Sequence, residues 1–381
     1  MQFRQSIPTP ASYLLAGCLA LALLSGCGRD PYDNPIANNS QQPDKILFDR
    51  SIRDLEKHRY EQSRLTLQTL INTYPDSEYI AKSKLAIADS WYREGTSHAL
   101  AQAEAEYKDF ITFFPTMEES AESQMKICQI HYDQMQSSDR DNTHALKADM
   151  ECRQLLVQFP NSRFVDPTKQ MLRDVQEVIA DAEFRVGTFY TFKGSYRAGA
   201  NRLQTVSDHY PLYSRNDEAL WVLGNTYEKM GQQFSEQSLQ AYAKLVRDYP
   251  LSGYIDQAKE KLVAANREIP DTDPDRYELM KYNLSMRESQ GTLGKVFGLF
   301  GTGPNMRWAA KAGDPAMTAL APTTPPGITP SAAVQPTAEV SAETITGPSK
   351  LDTEPDARLN QGGGQNQPQG QPQPQTPQNQ P

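Results

Sequence analysis

The chemistry most legible in this chain belongs to its cysteines. Leu24-Ser25-Gly26-Cys27 ends a mostly apolar run that starts at Leu14, with Arg4 as a weak positive charge ahead of it. Small residues before a cysteine suit a signal peptidase, and the Cys27 thiol is placed to accept a diacylglyceryl group. Leu15-Ala16-Gly17-Cys18 fits the same pattern formally, but the apolar run continues past Cys18, whereas Gly28-Arg29-Asp30-Pro31 opens a polar stretch. Cys27 is therefore the expected lipidation site, and the competing reading is an ordinary secretory signal with an incidental cysteine. One acyl chain anchors only marginally, whereas the several chains of a mature bacterial lipoprotein hold firmly. Nothing after Cys27 is long and apolar enough to span a bilayer. Gly28, rather than aspartate, in the second mature position resembles lipoproteins released to the outer membrane, facing the periplasm.

Two further cysteines remain in the mature part, Cys128 and Cys152, at nearly equal distances from a turn centred near Asp139 to Asn142. On antiparallel helices that places them at similar height, so an oxidising compartment would permit a disulfide. Two buried free thiols, packed as small hydrophobes, fit the spacing equally. The histidines, His58, His98, His131, His144 and His209, are scattered, and none forms a His-Glu-x-x-His pair or stands beside a cysteine at ligand spacing. There is no glycine-rich phosphate loop and no nucleophile elbow. Glu118-Glu119 lies at an expected helix start, where carboxylates favour the helix dipole. Asp271-Thr-Asp273-Pro-Asp275 lacks the central glycine and closing glutamate of a calcium loop. No cofactor, metal or catalytic residue is expected, and a net charge of −9 argues against a nucleic-acid partner.

These residues must be held by something, and the pattern of stops shows what. Tyr74-Pro75, Phe114-Pro115, Phe159-Pro160, Tyr210-Pro211 and Tyr249-Pro250 each close an apolar helical segment, at intervals of 40, 45, 51 and 39 residues. Each is preceded by a seam residue: Leu70, Phe110, Leu155, Val206 or Leu245; ahead of the first stop, Leu65, Leu67, Leu70 and Ile71 are expected to form one apolar face. Proline ends a helix because it lacks an N–H and clashes with the preceding turn. The stretch from Ala180 to Pro211 shows the unit most fully. Gly187 and Gly199 allow two antiparallel helices to approach, Tyr190 and Leu203 fill the seam, and Gly194 permits the turn. That is the spacing of a tetratricopeptide helix–turn–helix. The expected fold is all-α, a tetratricopeptide-repeat solenoid of five helix pairs with a capping helix over Tyr254 to Asn266 and a disordered C-terminal tail. The longest interval leaves room for an extension, Asp166 to Ile179, of the fourth pair's first helix.

The chain divides accordingly: residues 1–26 a lipoprotein signal peptide, 27–43 a lipidated tether, 44–269 the solenoid, 270–303 a linker with room for a short helix over Tyr277 to Met286, and 304–381 a Pro/Gln-rich tail. Leu293 to Phe300 is apolar but too short to cross a membrane; it docks a partner or membrane, or packs back on the cap. Of the 27 prolines, 14 lie at or after Pro304, and the 23 residues after Arg358 carry no charge, a composition that cannot offset its ordering entropy by apolar burial.

Two motifs narrow the reading. Glu183-Phe-Arg-Val186-Gly187-Thr-Phe189-Tyr190, followed by Asn201-Arg202-Leu203, resembles the fourth repeat of the BamD family. Asp139-Arg140-Asp141 with Phe159-Pro160-Asn161-Ser162 resembles that family's third-repeat turn and exit. The likeness covers roughly Pro43 to Asn266. It implies a non-catalytic adaptor in the complex that folds β-barrel proteins into the outer membrane. The implied partners are the barrel subunit BamA, the complex's other subunits and unfolded barrel proteins. The resemblance places Arg202, with Asn201 beside it, at the BamA interface. It further implies a substrate groove on the N-terminal repeats, where Lys82, Asp89, Tyr92 and Arg93 are expected to line the concave side. Another periplasmic repeat lipoprotein, serving envelope, division or pilus assembly, is the alternative.

Overall fold

The computed structural model describes residues 42–287 and 303–318. The lipidation motif at Cys27, the tether through residue 41, the segment Leu293 to Phe300 and the tail from residue 319 lie outside the described residues. Twelve α-helices are found among those described: α1 Pro43–Glu56, α2 Tyr60–Thr73, α3 Ile80–Glu94, α4 Ser97–Phe113, α5 Glu118–Asp133, α6 Thr143–Gln158, α7 Val165–Phe192, α8 Tyr196–His209, α9 Asn216–Lys229, α10 Ser235–Asp248, α11 Ile255–Ala264 and α12 Pro274–Ser285. A single 3-10 turn, Gln232–Phe234, leads into α10. From α1 to α11 each helix packs on its sequence neighbours, so the first ten form five pairs and α11 caps the last. This is the tetratricopeptide solenoid that the stops imply.

One local device, used five times, ends every second helix. Tyr74, Phe114, Phe159, Tyr210 and Tyr249 all leave the helix with φ between −126° and −130°. Each still donates its N–H to the seam carbonyl four residues back, at 2.8–3.0 Å. The proline that follows disfavours helical geometry for the residue before it, which is why the break falls on the aromatic. The aromatic carbonyl then accepts the N–H three residues on, closing a turn each time. In three of the five turns a serine hydroxyl (Ser77, Ser162, Ser252) accepts the backbone N–H two residues beyond it, at 3.1–3.2 Å. The serines therefore order the turn rather than cap the helix proper. The five seam residues are all essentially solvent-free.

The core follows the same logic. Its largest cluster joins α6 through α11 and includes Val175, Ile179, Phe184, Leu203, Val206, Leu220, Tyr242 and Leu262. In the fourth pair a Cβ on Gly187 would lie 2.9 Å from the Leu203 side chain, so the absence of one lets α7 and α8 close up. Gly194 takes φ +79°, a conformation that suits glycine, at the turn between them. The extension expected from Asp166 is real: α7 runs 28 residues.

Three expectations need correction. Tyr190 does not fill the α7–α8 seam; it is 38% exposed, and Phe184, 2% exposed, occupies that role. Tyr190 lies instead on the exposed side of α7's last turns, its ring edge to face with Phe189. Leu65 is 63% exposed rather than part of the α2 seam, which Leu67, Leu70 and the partly buried Ile71 carry. Finally, residues 304–318, assigned by composition to the tail, are docked on α6, α7 and α12 as a strap. Its alanines 309 and 310 are buried, and its main-chain groups are bonded by side chains of the solenoid.

Candidate functional site

The surface around Arg202 is built by the close approach just described. α7 presents Glu183 and α8 presents Arg202 on the same side of the seam. One guanidinium nitrogen of Arg202 donates to both Glu183 oxygens, at 3.0 and 2.9 Å. The arginine side chain is still 48% exposed, so it remains open to a partner from solvent. An exposed pair of this kind adds only about 0–1 kcal/mol to stability, which leaves the arginine's position unexplained by folding alone. Asn201 is half-buried beside it, and its carbonyl accepts the Thr205 hydroxyl.

The last two turns of α7 add an apolar component. Val186, Phe189, Tyr190 and Phe192 are all exposed, Phe192 by 86%. Phe189 and Tyr190 meet edge to face, and Lys193 stands over the Phe189 ring. Residues 186, 189 and 190 share a helix face by the three-and-four spacing. An aromatic patch flanked by a cation is the composition of an interface centre. Sequence reading found Arg202 but put Tyr190 in the core and did not single out Phe192.

The residues expected in the N-terminal groove are brought together only in part. Lys82, Asp89 and Arg93 share one face of α3, with Lys82 and Arg93 exposed at its two ends. Asp89 is not free between them. It accepts the Tyr107 hydroxyl of α4 at 2.6 Å and the Lys126 ammonium of α5 at 2.7 Å, tying the second pair to the third. Tyr92 is half-buried, its ring edge-on to Tyr107. What local spacing missed is one helix away. Arg64 of α2 lies 3.5 Å over the Trp91 ring and donates to the Ser90 hydroxyl and the Glu94 carboxylate. Together with Glu61, Leu65, Gln68, Ile87 and Glu106 they line an open cleft of about 400 Å³. The exposed Leu65 gives that cleft an apolar wall. Trp91 was the available signal, since the chain holds only three tryptophans; its partner Arg64 is 27 positions away and cannot be paired with it from spacing.

The structure also joins groups that look scattered in sequence. His131 Nδ1 lies 3.3 Å from His144 Nδ1 across α5 and α6, and its Nε2 is 3.3 Å from Glu104. Burial pushes the His131 pKa below its ordinary value. Among the described residues no group of three or more His, Cys, Asp or Glu side chains could hold a metal ion. Cys128 and Cys152 do face each other, both solvent-free, with Cα atoms 5.1 Å apart, inside the range a disulfide spans.

The chain is 23% identical over 239 residues to the outer membrane protein assembly factor BamD of Xylella fastidiosa, covering 60% of this chain and 80% of that protein. The BamD of Neisseria meningitidis serogroup A is 24% identical over 226 residues, 57% of this chain and 84% of that protein. The Vibrio cholerae BamD is 22% identical over 226 residues, 57% of this chain and 91% of that protein. The model of the YfiO family, described as outer membrane lipoprotein, matches residues 40–238, and the chain belongs to that family.

Proposed function

We propose that this protein is a non-catalytic adaptor of the machinery that assembles β-barrel proteins in the outer membrane. Lipid on Cys27 holds it to that membrane, facing the periplasm, and the solenoid presents two binding surfaces. The α7–α8 surface takes a BamA-like barrel subunit, with Arg202 pairing a partner carboxylate and Asn201 beside it. The α3 groove receives an extended segment of an unfolded barrel protein, with Lys82 and Arg93 meeting its carboxylate and Tyr92 its aromatic side chain; the Arg64–Trp91 cleft lies on the other side of α3. Asp89 shapes this groove by holding Tyr107 and Lys126 rather than by touching the substrate.

The observation that carries the reading is the exposed Arg202 beside the aromatic end of α7, in a region matched to the family. A guanidinium half-committed to Glu183 has the geometry to pair a second carboxylate when a partner covers it. Arg202→Glu is expected to reduce capture of the BamA-like subunit by about 30-fold or more, since losing one side of a hydrogen-bonded interfacial pair costs about 2–5 kcal/mol. The double variant Glu183→Arg with Arg202→Glu restores the intrachain pair with its charges exchanged. Capture that stays low in the double variant assigns the arginine to the partner. Capture restored by the exchange makes the pair a matter of folding, and undiminished capture by Arg202→Glu removes the interface.

We also propose that Cys128 and Cys152 are bridged in the periplasm. Peptide mapping after alkylation is expected to find both cysteines unlabelled until a reductant is added. Full labelling of the unreduced folded protein, opened by denaturant alone, would leave them as buried thiols.

A further inference from the structure

We propose that the α6–α7 face is a peptide-binding groove that reads main chain, and that residues 308–318 of this same chain are its resident, exchangeable occupant. This site is separate from the α3 groove and from the Arg202 surface, and it rests on neither.

The bonding pattern is that of a receptor and a ligand. Gln176 of α7 pairs with Ala316 through both ends of its amide: the Ala316 N–H donates to Oε1 at 3.1 Å, and Nε2 donates to the Ala316 carbonyl at 2.8 Å. Arg173 donates from Nε to the Ala310 carbonyl at 3.1 Å and from a terminal nitrogen to the Gly313 carbonyl at 2.8 Å. Gln170 reaches the Ala310 carbonyl, and Arg153 of α6 reaches that of Thr318. With the strap in place Gln176 and Arg153 are only 5% and 7% exposed, so the bonds they make to it are shielded from water. Such groups are costly to leave unpaired. Their partners in the strap are nearly all main-chain atoms. Side-chain selection comes from the buried Ala309, Ala310 and Pro315, from Gly313, from Trp308 at the edge of the clefts beside α7 and α12, and from Asp314, whose carboxylate pairs with Lys169 at 2.8 Å.

Recognition through carbonyls and one amide tolerates many sequences. The class of ligand that fits is therefore a non-helical, alanine- and glycine-rich polypeptide segment with one acidic residue. In this chain such a segment is supplied in cis, at the high effective concentration of a tethered ligand. A free peptide then binds with its affinity reduced by the fraction of molecules whose groove is open. The latch on the far side of the strap is Asn283 of α12, whose side-chain oxygen accepts the Lys311 and Ala312 N–H groups at 2.9 and 3.0 Å. Gly313 is the second latch. It takes φ +98°, and a Cβ there would sit 2.9 Å from the Leu212 side chain.

The test uses the full chain and a fluorescent synthetic peptide of its own residues 303–318. Gly313→Val and, separately, Asp314→Lys, both made in the strap of the full chain, unlatch it and leave every groove side chain, and the added native peptide, unchanged. Each is expected to bind the peptide about tenfold or more tighter than the native chain, as the groove's open fraction rises. Adding Gln176→Ala to either variant is expected to abolish that gain, and a peptide with Asp314→Lys is expected to bind more weakly. Circular dichroism identifies a variant that has lost its fold, and the other then carries the test. Equal affinity for native and unlatched chains, or a gain that survives Gln176→Ala, would overturn the proposal.

Discussion

Gly199→Val is expected to lower the melting temperature by roughly 6–12 °C, the shift that about 3 kcal/mol produces in a domain of this size. Position 199 is the point where α8 crosses α7 most closely. A Cβ built there would lie 2.4 Å from the Thr191 hydroxyl and 3.0 Å from both the Gly187 carbonyl and the Thr191 nitrogen. Two of those three atoms are backbone, and the hydroxyl is itself committed to the Gly187 carbonyl at 3.0 Å. None can move aside cheaply, so the helices must separate. Glycine costs a helix interior about 1 kcal/mol relative to alanine; a larger residue recovers part of that, and the clash outweighs it. Gly253, with nothing within 4 Å of its built Cβ, is the control, and Gly253→Ala is expected to change stability by no more than about 0.5 kcal/mol. Because a solenoid's stability is a sum over neighbouring units, damage at the fourth pair is also expected to broaden the transition. A thermal scan that finds the valine and the control alike would remove the close-packing argument.

Glu177 is expected to make stability fall as pH rises toward neutrality. It is buried in the middle of α7, where it accepts the N–H of Ser214 at 2.9 Å and the Ser214 hydroxyl. It faces a cleft of about 250 Å³ lined by Ser137, Ser138, Asp181, Arg185 and Trp308. Burial, assisted by the nearby Asp181 carboxylate and opposed by the Ser214 bonds, pushes its pKa from 4.5 up to about 7. The folded state thus holds the proton more tightly than the unfolded chain. The contribution is intact below about pH 4.5 and is lost as pH climbs through 7, a difference worth roughly 3 kcal/mol. Glu177→Gln is isosteric and carries no charge to desolvate. It is expected to exceed the native protein in stability by up to about 3 kcal/mol at pH 8 and to differ by no more than about 0.5 kcal/mol near pH 4.5. His131, whose folded pKa is lowered by burial, acts in the opposite sense below its ordinary value, but it is common to both proteins and cancels in the difference. Urea denaturation at the two pH values measures the gap; a gap independent of pH would mean that Glu177 does not hold its proton.

The repeat architecture was legible because it rests on local rules. An aromatic before a proline with a seam residue four positions earlier makes a local stop, which a serine two positions beyond the proline reinforces in three of the five cases. Five such stops, and glycines whose missing Cβ atoms fall opposite Leu203 and Thr191, were enough to place the helix pairs. The 28-residue α7 was legible from the long interval before Tyr210-Pro211. Arg202 was legible through the resemblance of its motif, although the Glu183 pairing that leaves it open to a partner was not.

Tertiary contact decided the rest. Whether Tyr190 faces α8 or solvent depends on how α7 rotates against its neighbour, which its spacing from Gly187 does not fix, because residues three apart lie close to one helix face. Arg64 and Trp91 belong to different helices, so their stacking exists only once α2 lies on α3. Asp89 looked like a groove residue on α3 and became a tie between pairs because Tyr107 and Lys126 arrive from α4 and α5. Residues 303–318 carry no amphipathic period, since what binds them is main chain met by Arg173, Gln176 and Asn283 from other helices. Local sequence therefore determined where each helix begins and ends, because stops and caps act within a few residues. The choice of which polar side chains are committed and which are left to a partner belonged to the folded solenoid, because hydrogen bonds between repeats have no period along the chain.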